Sequence, residues 1–511
     1  MSIYKSFEEA KNETKIPVFL SGRTMESRYN PQRDAENLFN TINSDSKFFV
    51  ITGIGSGVFI ELLNQKIPDA KIIAFEQTQE DIDFLLQSDI VKKLNSNPLI
   101  TLTDLSNLES VLTQNYLPAK YGNLHIIEQR GWINENQDKI VEINNLLKKT
   151  LGVISADYSV QAHFGKIWNS NILNNCKLAE QYSLYSFSYE NTAIINKTAV
   201  IVAAGPSLDR TLNILSDIKD REKYFIISTD TAGQILLKKN IVPDVIVSID
   251  GQSVSYNHFL HNKNNQPSGP SAGPSAPVYA FDLCANASAA RHILEAGNKV
   301  MYFCSGHPLS SAINESNKNS LPFLFSGAGT VTITCVDLAV QSGFKNILIL
   351  GADFSYHNGK SYASGTYLDT LYNHSSTKLK ETEQTYSKLM FRTELQVISK
   401  EIKTTQILDA YRISLEKYLL SKNISFTKEN DIYKLECKAP VTDLTKGLFT
   451  PAITNFSLKT FINKLKTLEP QDIEIILLPY IAWLRNNENY KNKTYEEFVK
   501  LALDSIVSYN I

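Results

Sequence analysis

Polar residues recur just after apolar runs along the middle of this chain: Ser207, Asp209, Asp230, Asp250, Asp282 and Asp353. Asp353 opens the run Asp-Phe-Ser-Tyr-His-Asn-Gly-Lys-Ser-Tyr, which adds Tyr356, His357 and Tyr362. Phenols and an imidazole beside a carboxylate suit proton transfer, either to a leaving phosphate or from an attacking hydroxyl. Packing aromatics in a loop is the plainer use of the same residues. Ala-Ala-Gly-Pro-Ser-Leu-Asp, residues 203–209, supplies the complementary chemistry. A strand that opens through glycine onto a helix N-terminus points free backbone N–H groups at one spot, and that spot favours an anion. Gly205, Pro206, Ser207, Leu208 and Asp209 are therefore expected at a phosphate.

The elements that must position these groups follow from pattern. Thr198 to Ala204 is apolar or β-branched throughout, as in a strand covered on both faces. Gly205 and Pro206 end it, and Ser207 or Asp209 caps a helix expected over Arg210 to Ile218. Further strands end at Asp230, Asp250, Asp282, His307 and Asp353, with helical stretches between them. Such alternation predicts a mostly parallel, doubly wound sheet, whose ligands sit at the carboxyl ends of the strands. Ser-Gly-Ala-Gly-Thr, 326–330, is a second glycine-rich helix start. Gly327, Gly329 and Thr330 are there either an anion or ribose contact or a tight turn.

Before this region stands a βαβ pattern: Lys47 to Thr52, the turn Gly53-Ile-Gly55-Ser-Gly57, a helix, then Lys71 to Phe75 with Glu76 at the tip. This is the layout of a nucleotide or S-adenosylmethionine pocket with Glu76 on ribose hydroxyls, or of glycines that only let helix and strand approach. A linking helix is expected over 161–173, an amphipathic helix over 381–421, edge strands near 424–426 and 433–437, and three helices over 455–511. Asn262 to Pro277 is low in complexity and carries no chemistry.

A chain of 511 residues exceeds one ordinary core. The expected domains are 1–155, Rossmann-like; 156–196, a helical linker; 197–445, catalytic; and 446–511, a helical C-terminal module. The fold class is α/β. A net charge of −2 argues against a nucleic-acid partner. The cysteines, at 176, 284, 304, 335 and 437, form no C-x-x-C pair, so no metal site or disulfide framework is indicated. No run reaches membrane-spanning length, and a soluble, cytoplasmic protein is expected.

Taken together, Val-Ile-Val-Ala-Ala-Gly-Pro-Ser-Leu-Asp, Ser-Thr-Asp230, Pro-Asp-Val-Ile-Val-Ser-Ile-Asp250 and Gly-Ala-Gly-Thr-Val with Leu-Gly-Ala-Asp353 resemble the motility-associated-factor (Maf) proteins. The resemblance spans roughly 45–450. These are flagellin glycosyltransferases whose central domain is shared with archaeal 6-hydroxymethylpterin diphosphokinase-like (MptE-like) proteins. The centre is also similar to a bacterial sialyltransferase family, whose Gly-Asn-Gly-Pro-Ser-Leu turn aligns with 203–208, with Ala204 in place of the asparagine. A second nucleotide-contacting asparagine of that family corresponds to Asp230. Its two phosphate-assisting tyrosines fall on Tyr356 and Tyr362, and His374 is the nearest candidate for its general base.

The resemblance implies transfer of a nonulosonic acid, pseudaminic or legionaminic, from its CMP-activated form to Ser or Thr of flagellin. The implied partners are flagellin and the CMP-sugar, and no cofactor is required. Two alternatives stand beside it. One is a pterin-type diphosphokinase that uses Mg²⁺ on carboxylates such as Asp230, Asp250 or Asp353. The other is a non-catalytic nucleotide-binding factor of flagellar assembly.

Overall fold

The computed structural model describes residues 2–42, 46–182, 197–216, 221–260, 276–327, 329–374, 376, 388, 390–437 and 456–509. The chain divides into two compact units: Met1–Gly165 with Leu478–Ala502, and Lys166–Leu477 with Leu503–Ile511. The helix Ile140–Gln181 contributes residues to both. It contains the linking helix expected at 161–173.

The first unit holds a hairpin, β1 (Tyr4–Glu9) and β2 (Lys15–Phe19), and a four-stranded parallel sheet. The sheet strands are β3 (Phe48–Thr52), β4 (Lys71–Glu76), β5 (Ile100–Asp104) and β6 (Leu124–Glu128), in the order β5-β4-β3-β6. Every residue of β3 and β4 is buried, which is why both read as continuous apolar runs rather than alternating ones.

The second unit is built on β7 (Thr198–Val202), β8 (Tyr224–Thr229), β9 (Val245–Ser248), β10 (Val278–Asp282), β11 (Lys299–Phe303) and β12 (Asn346–Leu350). Beyond these lie β13 (Tyr356–His357), β14 (Gln396–Val397), β15 (Ile402–Thr404), β16 (Ser425–Glu429) and β17 (Ile432–Glu436). The main sheet runs β11-β10-β9-β8-β7-β12-β17-β16. Its first six strands are parallel, and β17 and β16 close the far edge as an antiparallel hairpin, as the pattern near 424–437 predicts.

Both faces of this sheet are covered, and β7 shows how. Ala199, Ile201 and Ala203 enter one core with the helix Val331–Gln341, whose residues Thr332–Val340 are all buried. Val200, Val202 and Ala204 enter the opposite core with Ala232, Ile235 and Leu236 of the helix Asp230–Lys238. The two-residue period of the strand thus feeds two helical layers, which makes the sheet doubly wound. The order reverses at β7: the chain first builds β8 to β11 on one side, then β12 on the other. The crevice between β7 and β12 is the topological switch point, where doubly wound sheets place ligands.

Local expectations change in two places. The helix expected over 210–218 is two short turns, Leu208–Thr211 and Asn213–Ser216, and Ile218 lies outside the described residues. Of the helix expected over 381–421, Lys388, Met390 and Gln406–Ser421 are helical among the described residues. Gln396 and Val397 instead pair with Thr404 and Lys403, so Leu395 and Ile398 flank a strand and their helical spacing is coincidental. Residues 381–387 and Leu389, and most of the low-complexity stretch at 262–277, lie outside the described residues. The C-terminal helices are Leu458–Leu465, Pro470–Asn486 and Tyr495–Val507. Among the described residues no helix is long and apolar enough to cross a membrane.

Candidate active site

At the switch point the loops after β7 and β12 are stitched together. Ala203 N donates to Leu350 O at 2.9 Å and Gly205 N to Gly351 O at 2.8 Å. Ser207 N donates to Asp353 Oδ2 at 2.9 Å. The approach requires glycine twice. A Cβ on Gly205 would lie 2.3 Å from Asp353 Oδ2, and one on Gly351 would lie 2.2 Å from Ala203 O. Gly351 also has φ +69°, a left-handed backbone.

This stitching answers the question of the phosphate turn. The amides of Gly205, Ser207 and Leu208 are spent on Gly351 O, Asp353 Oδ2 and Gly205 O, and Pro206 has none to give. Residues 205–208 therefore present no free N–H cradle. Asp209 faces a different partner, accepting from Ser364 N at 2.9 Å and Ser364 Oγ at 3.0 Å. Of Gly205 to Asp209, only Gly205 lines the adjoining cavity.

That cavity, about 290 Å³, is bounded by residues 203–205, 229–231, 330–332, 351–356, Ser361, Tyr362, Leu408 and Tyr411. Two helix N-termini meet there. Asp230–Lys238 begins at Thr229, whose hydroxyl caps Ala232 N at 3.2 Å. Val331–Gln341 begins at Thr330, which makes no side-chain cap. The first N–H groups of a helix have no intrahelical partner, so those of Val331 and Thr332 are the donors the cavity offers to an anion. Gly327 and Gly329 shape the preceding turn at φ +56° and +89° and do not line the cavity.

Asp353 is buried, and while its Oδ2 serves Ser207, its Oδ1 has no hydrogen-bond partner. His357 Nε2 lies 3.8 Å from that oxygen and 3.1 Å from Ser355 Oγ. Tyr356 and Tyr362 both line the cavity. Burial raises both phenols, Tyr362 to about 12, so each remains an O–H donor at neutral pH. Burial also raises Tyr411, which enters from the helix Gln406–Ser421.

The other expected residues fall elsewhere or are engaged. Asp230 lines the cavity, but its oxygens accept from Thr231 N at 2.7 Å and Ser248 Oγ at 2.7 Å. Asp250 accepts from Gln252 N at 2.9 Å and does not line the cavity. Burial, reinforced by the Asp230 charge, raises its carboxyl. Asp282 is buried and accepts from Cys284 N at 2.7 Å. His374 is exposed, with Nδ1 3.0 Å from Thr370 O on its own helix, and does not line the cavity. Thr229, Ser355 and Ser361 fall inside the Ser-Thr-Asp and Asp-Phe-Ser-Tyr-His-Asn-Gly-Lys-Ser-Tyr runs, and Thr332 follows two places after Gly-Ala-Gly-Thr, whereas Thr231, Leu408 and Tyr411 carry no sequence signal that separates them from ordinary core or turn residues.

In the first unit the glycine-rich turn is real but filled. Gly53, Gly55 and Gly57 have φ of +82°, +59° and +83°. A Cβ on Gly53 would strike Met25 and Trp132 at 2.5 Å, and one on Gly55 would strike Glu26 Oε1 at 2.3 Å. Glu26 accepts from Ser56 N at 2.7 Å, where an anionic ligand would bind. Glu76 is fully buried and accepts from Ile54 N (2.7 Å), Tyr4 OH (3.0 Å) and Trp132 Nε1 (2.7 Å). Its expected place on ribose hydroxyls is taken by the chain's own donors, and burial raises Glu26 and Glu76 to about 7 each.

Residues 170–359 match the family described as 6-hydroxymethylpterin diphosphokinase MptE-like. This is the central domain that the Maf resemblance implies. A solved structure, the MAf glycosyltransferase from Magnetospirillum magneticum AMB-1, aligns over 99% of this chain and 90% of that chain at 12% identity, with TM-score 0.49. Two uncharacterized proteins of Treponema pallidum (strain Nichols) are similar in sequence. One is 26% identical over 49% of this chain and 82% of its own length. The other is 33% identical over 29% of this chain and 69% of its own. The chain carries an MptE-like domain at its centre and belongs to one family with the second Treponema protein.

Proposed function

We propose that the second unit is a glycosyltransferase that moves a nonulosonic acid, pseudaminic or legionaminic in type, from its CMP-activated donor to a Ser or Thr hydroxyl of flagellin. The observation that carries this reading is the convergence of Tyr356, Tyr362 and Asp353, whose Oδ1 has no hydrogen-bond partner, around one cavity at the sheet's switch point. The donor's phosphate sits against the N-terminus of Val331–Gln341, where two amides and the helix dipole meet it. Tyr356 and Tyr362 donate hydrogen bonds to that phosphate as the glycosidic C–O bond breaks and negative charge gathers on it. Asp353 Oδ1 accepts the proton of the acceptor hydroxyl as its oxygen bonds to the anomeric carbon. His357 stands behind Asp353 and orients it. Phe354, Leu408 and Tyr411 form the apolar wall for the base and sugar.

One observation favours a second reading, an MptE-like diphosphokinase. The charged side chains lining the cavity are the carboxylates of Asp230 and Asp353, with no Lys or Arg among the described residues. A Mg²⁺ would be held by Asp353 Oδ1 and substrate phosphates, and would neutralise charge during phosphoryl transfer. Asp230 fits that role poorly, because its oxygens already serve Thr231 and Ser248. Among the described residues no cluster of three His, Cys, Asp or Glu could hold a metal.

Calorimetry separates the two. Titration of the full chain with CMP in EDTA gives saturable binding under the glycosyl-transfer reading. Binding and turnover of ATP that require Mg²⁺, with no CMP binding, establish the kinase reading instead.

A further inference from the structure

Beside the active-site cavity the second unit carries another concavity, of about 770 Å³. Its floor includes Phe323, Phe325 and Ile413, which are 52%, 41% and 37% exposed, unusually open for such side chains. Lys417 and Lys422 stand on its rim. The acid within it, Asp337, is 1% exposed and spent, accepting from Phe325 N at 2.7 Å, Gln341 Nε2 at 2.5 Å and Tyr418 OH at 2.5 Å. The open groove is therefore apolar with a cationic edge.

Two elements line both the groove and the cavity, with different residues in each. The helix Gln406–Ser421 turns Leu408 and Tyr411 into the cavity, and Ala410, Ile413, Ser414 and Lys417 into the groove. The glycine turn runs from Phe325 in the groove to Thr330 in the cavity. A Cβ on Gly327 would lie 2.8 Å from Ser414 Oγ, so turn and helix are packed together.

We propose that this groove seats the acceptor polypeptide, as an extended segment of apolar and acidic residues that delivers a hydroxyl to Asp353. The proposal rests on the glycosyl-transfer reading. Apolar side chains cover Phe323, Phe325 and Ile413, and carboxylates meet Lys417 and Lys422. From Tyr411 to Lys417 the helix rises about 9 Å, at about 1.5 Å per residue. About three extended residues span that distance. The modified Ser or Thr thus lies about three residues from the acidic residue that meets Lys417.

The test uses the full chain and two labelled peptides, a four-fold repeat of Gly-Ser-Asp-Leu and its counterpart with Lys for Asp. Fluorescence anisotropy gives at least about ten-fold tighter binding of the acidic peptide. Ile413→Asp reduces that affinity at least about ten-fold. The double change Lys417→Glu/Lys422→Glu reverses the preference toward the lysine peptide, a gain that a misfolded variant could not show. Equal binding of both peptides, or an unchanged preference in the double variant, overturns the groove. CMP binding is measured on the same samples. Its absence in the wild type brings down the donor reading, while the peptide preference still decides the groove.

Discussion

Asp353 divides its work between its two oxygens. Oδ2 fixes the turn after β7 through Ser207 N, while Oδ1 is buried without a hydrogen-bond partner. Asp353→Asn keeps an oxygen for Ser207 N and removes the base. It is expected to lower turnover by about 10²–10⁴-fold with CMP affinity near wild type, read as CMP release from the donor sugar. Tyr356→Phe with Tyr362→Phe removes both phenol donors and lowers kcat rather than donor affinity in the same assay. These three residues were legible in the sequence because one short run carries them. The fate of residues 205–208 was not. The amides of Gly205 and Ser207 are taken by Gly351 and Asp353, well over a hundred residues away, and no local pattern announces a partner so distant. Tyr411 is hidden for the same reason, on a helix whose spacing resembles any other amphipathic one.

At the scale of elements, the contact between the loops after β7 and β12 sets the cavity. Gly351→Ala places a side chain on a left-handed backbone, at about 1–3 kcal/mol, and drives its Cβ into Ala203 O. Gly359 is the control. It too has positive φ, +77°, but a Cβ there meets nothing within 4 Å. Urea unfolding is expected to show a clearly larger loss for Gly351→Ala than for Gly359→Ala, and CMP binding is lost only in the former. Strand and helix alternation announced the parallel sheet, since buried strands such as β7 are apolar throughout. The β14–β15 hairpin escaped notice because two strands of two and three residues carry too few positions for a period to emerge.

At the scale of the whole chain, the first unit has the frame of a nucleotide domain with its pocket filled by Met25, Glu26 and Trp132. The glycines signalled that frame in the sequence, but Met25 and Glu26 come from a segment before β3 that reads as polar and featureless, and Trp132 from the segment after β6. Its buried acids leave a pH signature. Glu76 rises from 4.5 to about 7 on folding, chiefly through burial, so between those values the folded state keeps a proton the unfolded state has lost. Stability of this unit then falls as pH rises through that window and is level above it. Glu26 acts in the same direction. Hydrogen exchange of β3 and β4 should show opening becoming harder from about pH 7.5 to about pH 5, with a shallower slope in Glu76→Gln.

The central claim, that the cavity beside Asp353 glycosylates flagellin, is tested most directly by the intact mass of flagellin from three cell lines. One carries the wild-type chain, one lacks it, and one carries Asp353→Asn. The predicted result is flagellin heavier by whole nonulosonic acid residues in the first line only. One mass shared by all three lines would contradict the account.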